Sequence, residues 1–273
     1  MSGPGGEEFP AGEAGGVAFL QAATLVAATG LRHWFTGRRG GGSVGPHAAL
    51  NLGLASGDDR ATVEGNRTRC WAALGLPHAP LIPRQVHGAA VALVDGANRA
   101  AFLADPPEAD AVVTALRGLP LAILTADCPA IIVWDTRTPA LAVVHAGWRG
   151  TAASVLWRTL LTMMESFGTR PEDCRAALGP AIAGPCYEVG EDVRTAFVRG
   201  LAYGQDVLAP GGGPLKWLAD LREANRRQLL DARLAPASVG ICPACTHCEA
   251  AWFYSARRDR PVTGRQAAVA MLS

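Results

Sequence analysis

The sequence predicts one mixed α/β domain, on the basis of three observations. Short apolar runs typical of strands alternate with longer amphipathic segments typical of helices. The 273 residues are 49% hydrophobic and 18% charged, which is enough apolar side chain for a large core. No internal repeat and no linker follows Gly16. We therefore expect a single domain over residues 17–273, and a disordered tail over residues 1–16, which are rich in Gly, Pro and Glu.

Local patterns predict the individual elements. The predicted strands are short apolar or β-branched runs at 31–36, 91–94, 110–114, 119–125, 131–134, 141–144, 175–179, 238–242 and 252–255. The predicted helices cover 60–76, 151–167, 191–200 and 215–232. We expect Asp59 or Thr62 to cap the first helix and Thr151 to cap the second, with Pro214 near the first turn of the last.

A β-hairpin over residues 131–144 provides the first functional indication. If Asp135 pairs with Ala140 across its polar turn, Cys128 and His145 lie on the same face of the sheet at matching strand ends. Diagonal neighbours of this kind lie roughly 7–8 Å apart, within reach of a shared metal ion or proton. The pair therefore predicts a reactive centre, in which Cys128 is either a nucleophile with His145 as its base or a thiolate ligand. A buried structural cysteine beside a hydrogen-bonded histidine is the alternative.

A third residue, His87, would complete a His–Cys–His set. Three protein ligands and one open position are the pattern of a catalytic zinc site. The spacing of 87, 128 and 145 is not a compact metal motif, so it does not by itself establish such a site.

Two further segments carry candidate binding residues. The glycine-rich loop 37–46 contains Arg38, whose guanidinium is suited to a phosphate or sugar, although the segment could also be a mobile surface loop. Asn51 lies between two leucines and could orient a substrate or satisfy a backbone group. Residues 146–150 after His145 form a strand-to-helix junction, where backbone N–H groups and Arg149 favour an anion.

The run CPACTHC at residues 242–248 resembles a metal-binding turn but has no distant second pair of ligands in the sequence. Unpaired thiols are therefore the preferred interpretation of Cys242, Cys245 and Cys248.

Seven cysteines without a secretion signal favour a reduced, cytoplasmic setting. The apolar stretch 17–30 is too short to span a bilayer and follows glutamates rather than basic residues. The net charge of +1 provides no argument for a nucleic-acid or membrane partner.

Several motifs together resemble the laccase-domain, or multicopper polyphenol oxidase, family, whose bacterial members are also called purine nucleoside phosphorylases or peptidoglycan editing factors. The matching stretches run from residue 31 to about 270 and include QVHG at 85–88, ADAVVT at 109–114, TADCP at 125–129, HAGWRGT at 145–151, YSARRD at 254–259 and TGRQ at 263–266. The resemblance implies an α/β/β/α layered sandwich with mixed sheets. It also implies zinc ligation by His87, Cys128 and His145. Of the CPACTHC run, only Cys245 and Thr246 match the family pattern.

The resemblance implies phosphorolysis of adenosine, inosine and methylthioadenosine, and deamination of adenosine. We expect Asp127 to shuttle a proton, Arg38 and Arg149 to hold phosphate, and Asn51 to orient the sugar or base. The expected partners are thus a purine nucleoside and phosphate, with no nucleic acid or membrane, for a monomer or weak dimer.

Three alternatives stay open at this point. One is a Cys–His or zinc amidase that edits peptidoglycan precursors, and another is a binding module without turnover. A copper-dependent polyphenol oxidase is disfavoured, because its four-copper machinery needs about ten histidines plus a cysteine. The chain has six histidines, so a single adventitious Cu²⁺ at the same ligands is the most that copper could achieve.

Overall fold

Two large β-sheets pack face to face in the middle of the molecule, and helices cover their outer faces. This architecture is seen in a computed structural model that describes residues 3–27, 29–260 and 262–273. It confirms the predicted α/β/β/α layering with mixed sheets. Within the described ranges, none of the helices combines the length and the apolar character needed to cross a bilayer.

The elements are numbered in chain order. The strands are β1 (Ala11–Ala14), β2 (Val17–Leu20), β3 (Leu31–Thr36), β4 (Val91–Val94), β5 (Ala111–Thr114), β6 (Leu121–Thr125), β7 (Ala130–Asp135), β8 (Ala140–His145), β9 (Cys174–Leu178), β10 (Glu188–Val189), β11 (Leu208–Pro210), β12 (Trp217–Ala219), β13 (Val239–Ile241) and β14 (Gln266–Leu272). The α-helices are α1 (Ala23–Val26), α2 (Arg60–Ala73), α3 (Arg99–Ala104), α4 (Trp148–Ala152), α5 (Val155–Phe167), α6 (Glu191–Gly200), α7 (Leu221–Asp231) and α8 (Ala256–Asp259).

One large sheet is antiparallel throughout and has the order β1-β2-β3-β14-β6. The other has the order β13-β9-β7-β8-β5-β4 and is mixed, because β13 runs parallel to β9 and β4 runs parallel to β5. Apolar side chains from both sheets fill the space between them. Helices α5 and α7 cover the outside of the six-stranded sheet, and α2 covers the outside of the five-stranded one. A small sheet, β10-β12-β11, lies beside α6.

The predicted hairpin register is confirmed. Asp135 pairs with Ala140 at the turn of the β7–β8 hairpin, and Ala130 pairs with His145 at its other end. Every residue of both strands is buried, because the second sheet covers one face and helices cover the other. The hairpin is therefore a rigid base for whatever its open end carries.

The N-terminal segment differs from the predicted disordered tail. Residues of β1 pair with β2, and the side chain of Phe9 is fully buried in the core between the sheets. One aromatic anchor and an edge-strand pairing order a stretch whose other residues are Gly, Pro, Ala and Glu. Composition does not reveal such an anchor. The assignment of residues 17–273 to a single domain stays a prediction.

Two predicted helix starts are wrong. Thr151 does not cap a helix but lies in α4, with its hydroxyl buried against Asn225, and α5 begins only after Ser154. The helix expected from residue 215 begins at Leu221, because the side chain of Asp220 caps it and the preceding residues form β12.

The chain end also differs from its prediction. The segment 252–255 is not a strand, and Ser255 instead caps α8 by accepting a hydrogen bond from the backbone of Arg258. Strand β14, which was not predicted, pairs with both β3 and β6 in the centre of its sheet. Its alanine-rich sequence has a single β-branched residue, Val269, so its position depends on its two neighbours.

Candidate active site

The structure brings His87, Cys128 and His145 together at one end of the β7–β8 hairpin. One potential ligand atom from each side chain lies within 4.8 Å of the others. The two imidazole rings meet edge to face, with 4.8 Å between their centroids. The three residues that the resemblance assigned to a metal therefore form one cluster, called the His–Cys–His triad below.

Two of these side chains owe their positions to the hairpin. His145 is the last residue of β8, and Cys128 immediately precedes Pro129 and β7. The carbonyl of Cys128 accepts a 2.5 Å hydrogen bond from the hydroxyl of Thr125, which closes the tight turn between β6 and β7. Strand pairing and this turn thus hold the thiol and the imidazole at the same edge of the sheet.

The buried carboxylate of Asp110 positions both histidines. One of its oxygens accepts a hydrogen bond from the backbone N–H of His87 at 3.0 Å, and the other accepts one from Gly88 at 2.6 Å. The first oxygen also lies 2.8 Å from Nδ1 of His145. Because Nδ1 then carries the proton, Nε2 of His145 is the free ligand atom. Asp110 was predicted only as part of a strand and a motif. The signal that could have identified it is a carboxylate directly before a short apolar run that is fully buried in the fold.

The charges of the triad favour a thiolate. Desolvation raises the pKa of Cys128, but the facing imidazoles of His145 and His87 outweigh it and lower the pKa to about 6. Burial lowers the pKa of His145, while the Cys128 thiolate and Asp110 raise it to about 9. Without a metal, the pair is therefore a thiolate beside an imidazolium. The thiolate is the form that binds metal, and a metal cation can take the place of the imidazolium proton.

A glycine keeps the space beside the triad open. A Cβ atom at Gly147 would lie 3.2 Å from Sγ of Cys128 and 3.2 Å from Cδ2 of His87. A soft thiolate, two imidazoles and a cleared space fit a single transition-metal ion such as Zn²⁺. These donors therefore suit the zinc ion that the resemblance implies.

A cavity of about 1030 Å³ lies over the triad, and its lining is rich in arginine, although Arg60 and Arg84 form ion pairs with carboxylates outside the lining. Seven arginines line it: Arg60, Arg67, Arg84, Arg149, Arg257, Arg260 and Arg265. Among the described lining residues, Asp127 is the single carboxylate, and its oxygens already accept hydrogen bonds from the protein. An anion such as phosphate is the ligand that this charge distribution favours.

The cavity wall also offers aromatic surface. Trp148 lies under the guanidinium of Arg149 at 4.3 Å, and Tyr187 lies under that of Arg257 at 4.9 Å. Burial raises the pKa of Tyr187, so its hydroxyl keeps its proton near neutral pH and can donate a hydrogen bond. A flat, partly apolar ligand that carries an anion beside it suits such a wall.

The predicted role of Arg38 in substrate binding is not supported. Its Nε donates to the carbonyl of Ala48 at 2.8 Å, and its guanidinium stacks on Tyr254 at 4.5 Å. It is not among the residues that line the cavity over the triad. Arg38 braces the glycine-rich loop, whereas Arg149 lines the cavity, and its contact with phosphate stays a prediction.

Asn51 is also a structural residue rather than a substrate contact. Its amide nitrogen donates to Ser56 at 2.7 Å, and its amide oxygen accepts from the backbone of Gly53 and Arg265. The side chain is fully buried. Of the two interpretations of Asn51, the one in which it satisfies backbone groups is correct.

The carboxylate of Asp127 is not free to shuttle a proton. One oxygen accepts from the hydroxyl of Thr246 at 2.6 Å, and the other accepts from the backbone of Arg257 at 2.7 Å and the hydroxyl of Ser255 at 3.0 Å. These bonds fasten the Cys128 turn to the C-terminal segment. Asp127 is therefore a positioning residue, which corrects its predicted catalytic role.

Sequence reasoning missed part of the cavity wall. Arg257 and Arg265 occur in the YSARRD and TGRQ motifs, and Tyr187 follows Cys186, but no role was predicted for them. Their presence in motifs is the signal that could have identified them. Each lies in a loop or a short helix, where the sequence has no hydrophobic pattern that would indicate a role.

Comparisons with known proteins agree with this architecture. A family model described as "Multi-copper polyphenol oxidoreductase laccase" matches residues 32–273. A purine nucleoside phosphorylase of Xylella fastidiosa is 42% identical over 238 residues, which are 85% of this chain and 88% of that protein. One from Deinococcus radiodurans is 41% identical over 256 residues, which are 93% of this chain and 92% of that protein.

Solved structures show the same fold. A hypothetical protein YfiH of Bacillus licheniformis superposes with a TM-score of 0.87 at 27% identity, covering 95% of this chain and 97% of that one. YlmD from Geobacillus stearothermophilus superposes with a TM-score of 0.82 at 33% identity, covering 94% and 96%.

Proposed function

Because the chain belongs to the multi-copper polyphenol oxidoreductase laccase family and its curated relatives are named purine nucleoside phosphorylase, we propose that it is a zinc-dependent purine nucleoside phosphorylase. Adenosine, inosine and methylthioadenosine are the proposed substrates, and deamination of adenosine is a proposed second activity. The observation that carries the proposal is the cavity lined by seven arginines directly over the His–Cys–His triad.

In phosphorolysis, a phosphate oxygen forms a bond to C1′ of the ribose while the bond from C1′ to the purine nitrogen breaks. The base leaves with the electron pair and takes up a proton. Arg149, Arg257 and Arg265 supply positive charge for the phosphate, and the latter two also donate to backbone carbonyls, which holds their side chains in place. Trp148 and Tyr187 provide the surface against which the purine packs.

The residues that would hold the metal are His87, Cys128 and His145. A zinc ion bound there supplies Lewis acidity, which lowers the pKa of water and polarises a substrate oxygen. Asp110 keeps His145 oriented, and Gly147 keeps the adjoining space clear. A multicopper centre is disfavoured, because only two of the six histidines converge at this triad, far fewer than such a centre requires.

The same features support the remaining expectations. All seven cysteines are unpaired, which suits a reducing, cytoplasmic location. The cationic surface described above is inside a cavity of small-molecule size, which favours a nucleoside and phosphate over nucleic acid or membrane as partners. We propose a monomer or weak dimer.

Product analysis tests the proposal. The purified chain is incubated with inosine and phosphate, and separately with adenosine, and the released bases and ammonia are quantified. His87→Ala should remove the zinc ion of the His–Cys–His triad and both activities together. Full activity in a His87→Ala protein that has lost this zinc ion would overturn the proposed mechanism.

The phosphate site has its own test. Arg149→Gln should raise the KM for phosphate roughly tenfold or more, because a charge-assisted contact contributes about 1.5–3 kcal/mol. Arg158→Gln is the matched control, since Arg158 is exposed on α5 and bonds to the carbonyl of Ala153. Equal phosphate KM values for the two variants would exclude Arg149 from the site.

Alkylation separates the proposal from a metal-free Cys–His amidase. If Cys128 is a zinc ligand, iodoacetamide should label it slowly in metal-replete protein and faster after chelation. Rapid labelling of the metal-replete enzyme, together with cleavage of a muropeptide amide, would favour the nucleophilic alternative instead. Binding of inosine and phosphate without turnover would indicate a binding module.

A further inference from the structure

A second cluster of metal-binding side chains lies outside the His–Cys–His triad. The ligand atoms of Cys186, His247 and Cys248 all lie within 4.8 Å of one another, and the Sγ atoms of Cys186 and Cys248 are 3.5 Å apart. The CPACTHC run lacks a second half-site in the sequence, and Cys186, which is 62 residues earlier than Cys248, supplies it in the fold.

Cys245 is a candidate fourth donor that lies just outside the 4.8 Å grouping of the other three. Its sulfur interacts with those of both Cys186 and Cys248, and it accepts a 3.3 Å hydrogen bond from the backbone N–H of Ala183. Backbone N–H groups that point at a sulfur stabilise a thiolate, which is the form that binds metal.

The turn that carries three of the four side chains is braced from outside. The backbone N–H of Cys248 donates to the carbonyl of Cys245 at 3.1 Å, which closes the turn. The guanidinium of Arg258 donates to the carbonyls of Thr246 and His247 at 2.7 and 2.9 Å. Residues Ala181 and Cys245 form a bridge between this turn and the segment that leads to Cys186. The donors are therefore held in place by the backbone rather than by one another.

The spacing distinguishes a metal site from a disulfide. Sulfurs joined in a disulfide are about 2.05 Å apart. Two thiolates on one tetrahedral Zn²⁺, with Zn–S bonds of about 2.3 Å, lie roughly 3.8 Å apart. The separation of 3.5 Å between Cys186 and Cys248 is close to the second value and far from the first.

We propose that Cys186, Cys245, His247 and Cys248 form a structural Zn²⁺ site that is separate from the His–Cys–His triad. Three thiolates and one imidazole complete a closed tetrahedral set, which is typical of structural zinc. Unlike the triad, this set leaves no position open for a substrate.

The site would stiffen the wall of the cavity. Cys186 directly precedes Tyr187, which lines the cavity, and Thr246 of the same turn donates to Asp127 beside the catalytic Cys128. A zinc ion that joins Cys186 to the CPACTHC turn therefore ties two parts of the wall together. This inference does not depend on which reaction the cavity supports.

Zinc counting in the full-length chain tests the proposal. Reduced, zinc-replete protein is desalted and analysed for metal per chain. We expect about two zinc ions in the natural protein, and about one in each of the variants His87→Ala, Cys248→Ser and His247→Gln. Cys248 is exposed, so its replacement should not disturb folding. Cys242→Ala is the matched control, because Cys242 belongs to the same run but is buried in the core, and it should keep both ions.

Cobalt substitution provides a second readout. In a His87→Ala, Cys128→Ser background, all sulfur-to-cobalt charge-transfer absorption must come from the second site. Adding Cys248→Ser should lower that absorption by roughly a third or more, since one of three thiolates is lost. Absence of zinc from the His87→Ala, Cys128→Ser protein would overturn the proposal, as would a Cys186–Cys248 disulfide found by thiol counting. Loss of activity in His87→Ala with one zinc retained would leave it intact.

Discussion

Oδ1 of Asp110 lies 2.8 Å from Nδ1 of His145, and neither side chain is more than 3% exposed to solvent. The hydrogen bonds that Asp110 accepts from His145 and from the backbone of Gly88 and Val86 outweigh burial and keep its pKa below the usual range. An ionised, fully buried carboxylate thus fixes the orientation of one candidate ligand and the loop that carries another.

Asp110→Asn should weaken zinc binding at the triad by about 10–100-fold, the usual effect of losing such a supporting carboxylate. Competition with a chromogenic chelator measures the affinity. Asp135→Asn is the control, because Asp135 is buried at the far end of the same hairpin. Equal zinc affinities in the two variants would show that Asp110 only stabilises the fold.

Gly147→Ala should lower zinc affinity while leaving the metal-free protein folded. Gly147 has a φ of −64°, which alanine adopts without strain, but the added Cβ would lie 3.2 Å from Sγ of Cys128. Overpacking of this kind costs about 1–3 kcal/mol, which corresponds to roughly a tenfold loss or more in affinity.

Gly65→Ala serves as its control. Gly65 lies within α2, and a Cβ there meets nothing within 4 Å, so the change should raise stability by about 0.5–1 kcal/mol and leave zinc binding unaltered. An unchanged zinc affinity in Gly147→Ala would mean that the crowding is relieved by movement of the His87 side chain.

Stability should decline in mild acid because of His33. Burial lowers the pKa of His33 to about 4, and its Nε2 accepts a hydrogen bond from the backbone of Ala22. The unfolded chain, in which the pKa is 6.5, takes up the proton first as the pH falls. The free energy of unfolding should therefore be independent of this group above pH 6.5 and decrease by about 3 kcal/mol as the pH falls to 4.

Urea unfolding at a series of pH values measures this slope. His33→Gln keeps an acceptor for Ala22 and should flatten it, whereas replacement of the exposed His78 by Gln should not. A slope that persists in His33→Gln would assign the acid sensitivity to other groups.

Asn51→Ala should destabilise the fold without removing metal. The side chain of Asn51 makes hydrogen bonds with Ser56, Gly53 and Arg265 in a fully buried position, so its loss should cost about 1–3 kcal/mol. Thermal or urea unfolding measures the cost, and zinc analysis should find the natural content. Asn98→Ala, at an exposed turn, is the control. A loss of zinc in Asn51→Ala alone would place Asn51 nearer the His–Cys–His triad than its contacts indicate.

Local patterns were informative wherever neighbouring residues decide the structure. The register of the β7–β8 hairpin follows from a short turn and two apolar runs, and it places Cys128 near His145 without reference to the rest of the chain. Helix α2 and its Asp59 cap follow from a capping residue and a helical pattern in the same way. The ordered segment around Phe9 and the central strand β14 escaped prediction, because partners far away in the chain determine both.

The sequence by itself determined the layered α/β class, the hairpin register and the identity of three candidate metal ligands through motifs. Only the tertiary structure decided that Asp110 serves both histidines, that Arg38 and Asn51 brace loops instead of binding substrate, and that seven arginines surround one cavity. It also placed Cys186 against the CPACTHC run. The physical reason is that hydrogen bonds, charge and metal geometry act over a few ångströms in space, and the packing of two sheets brings together residues that no local pattern connects.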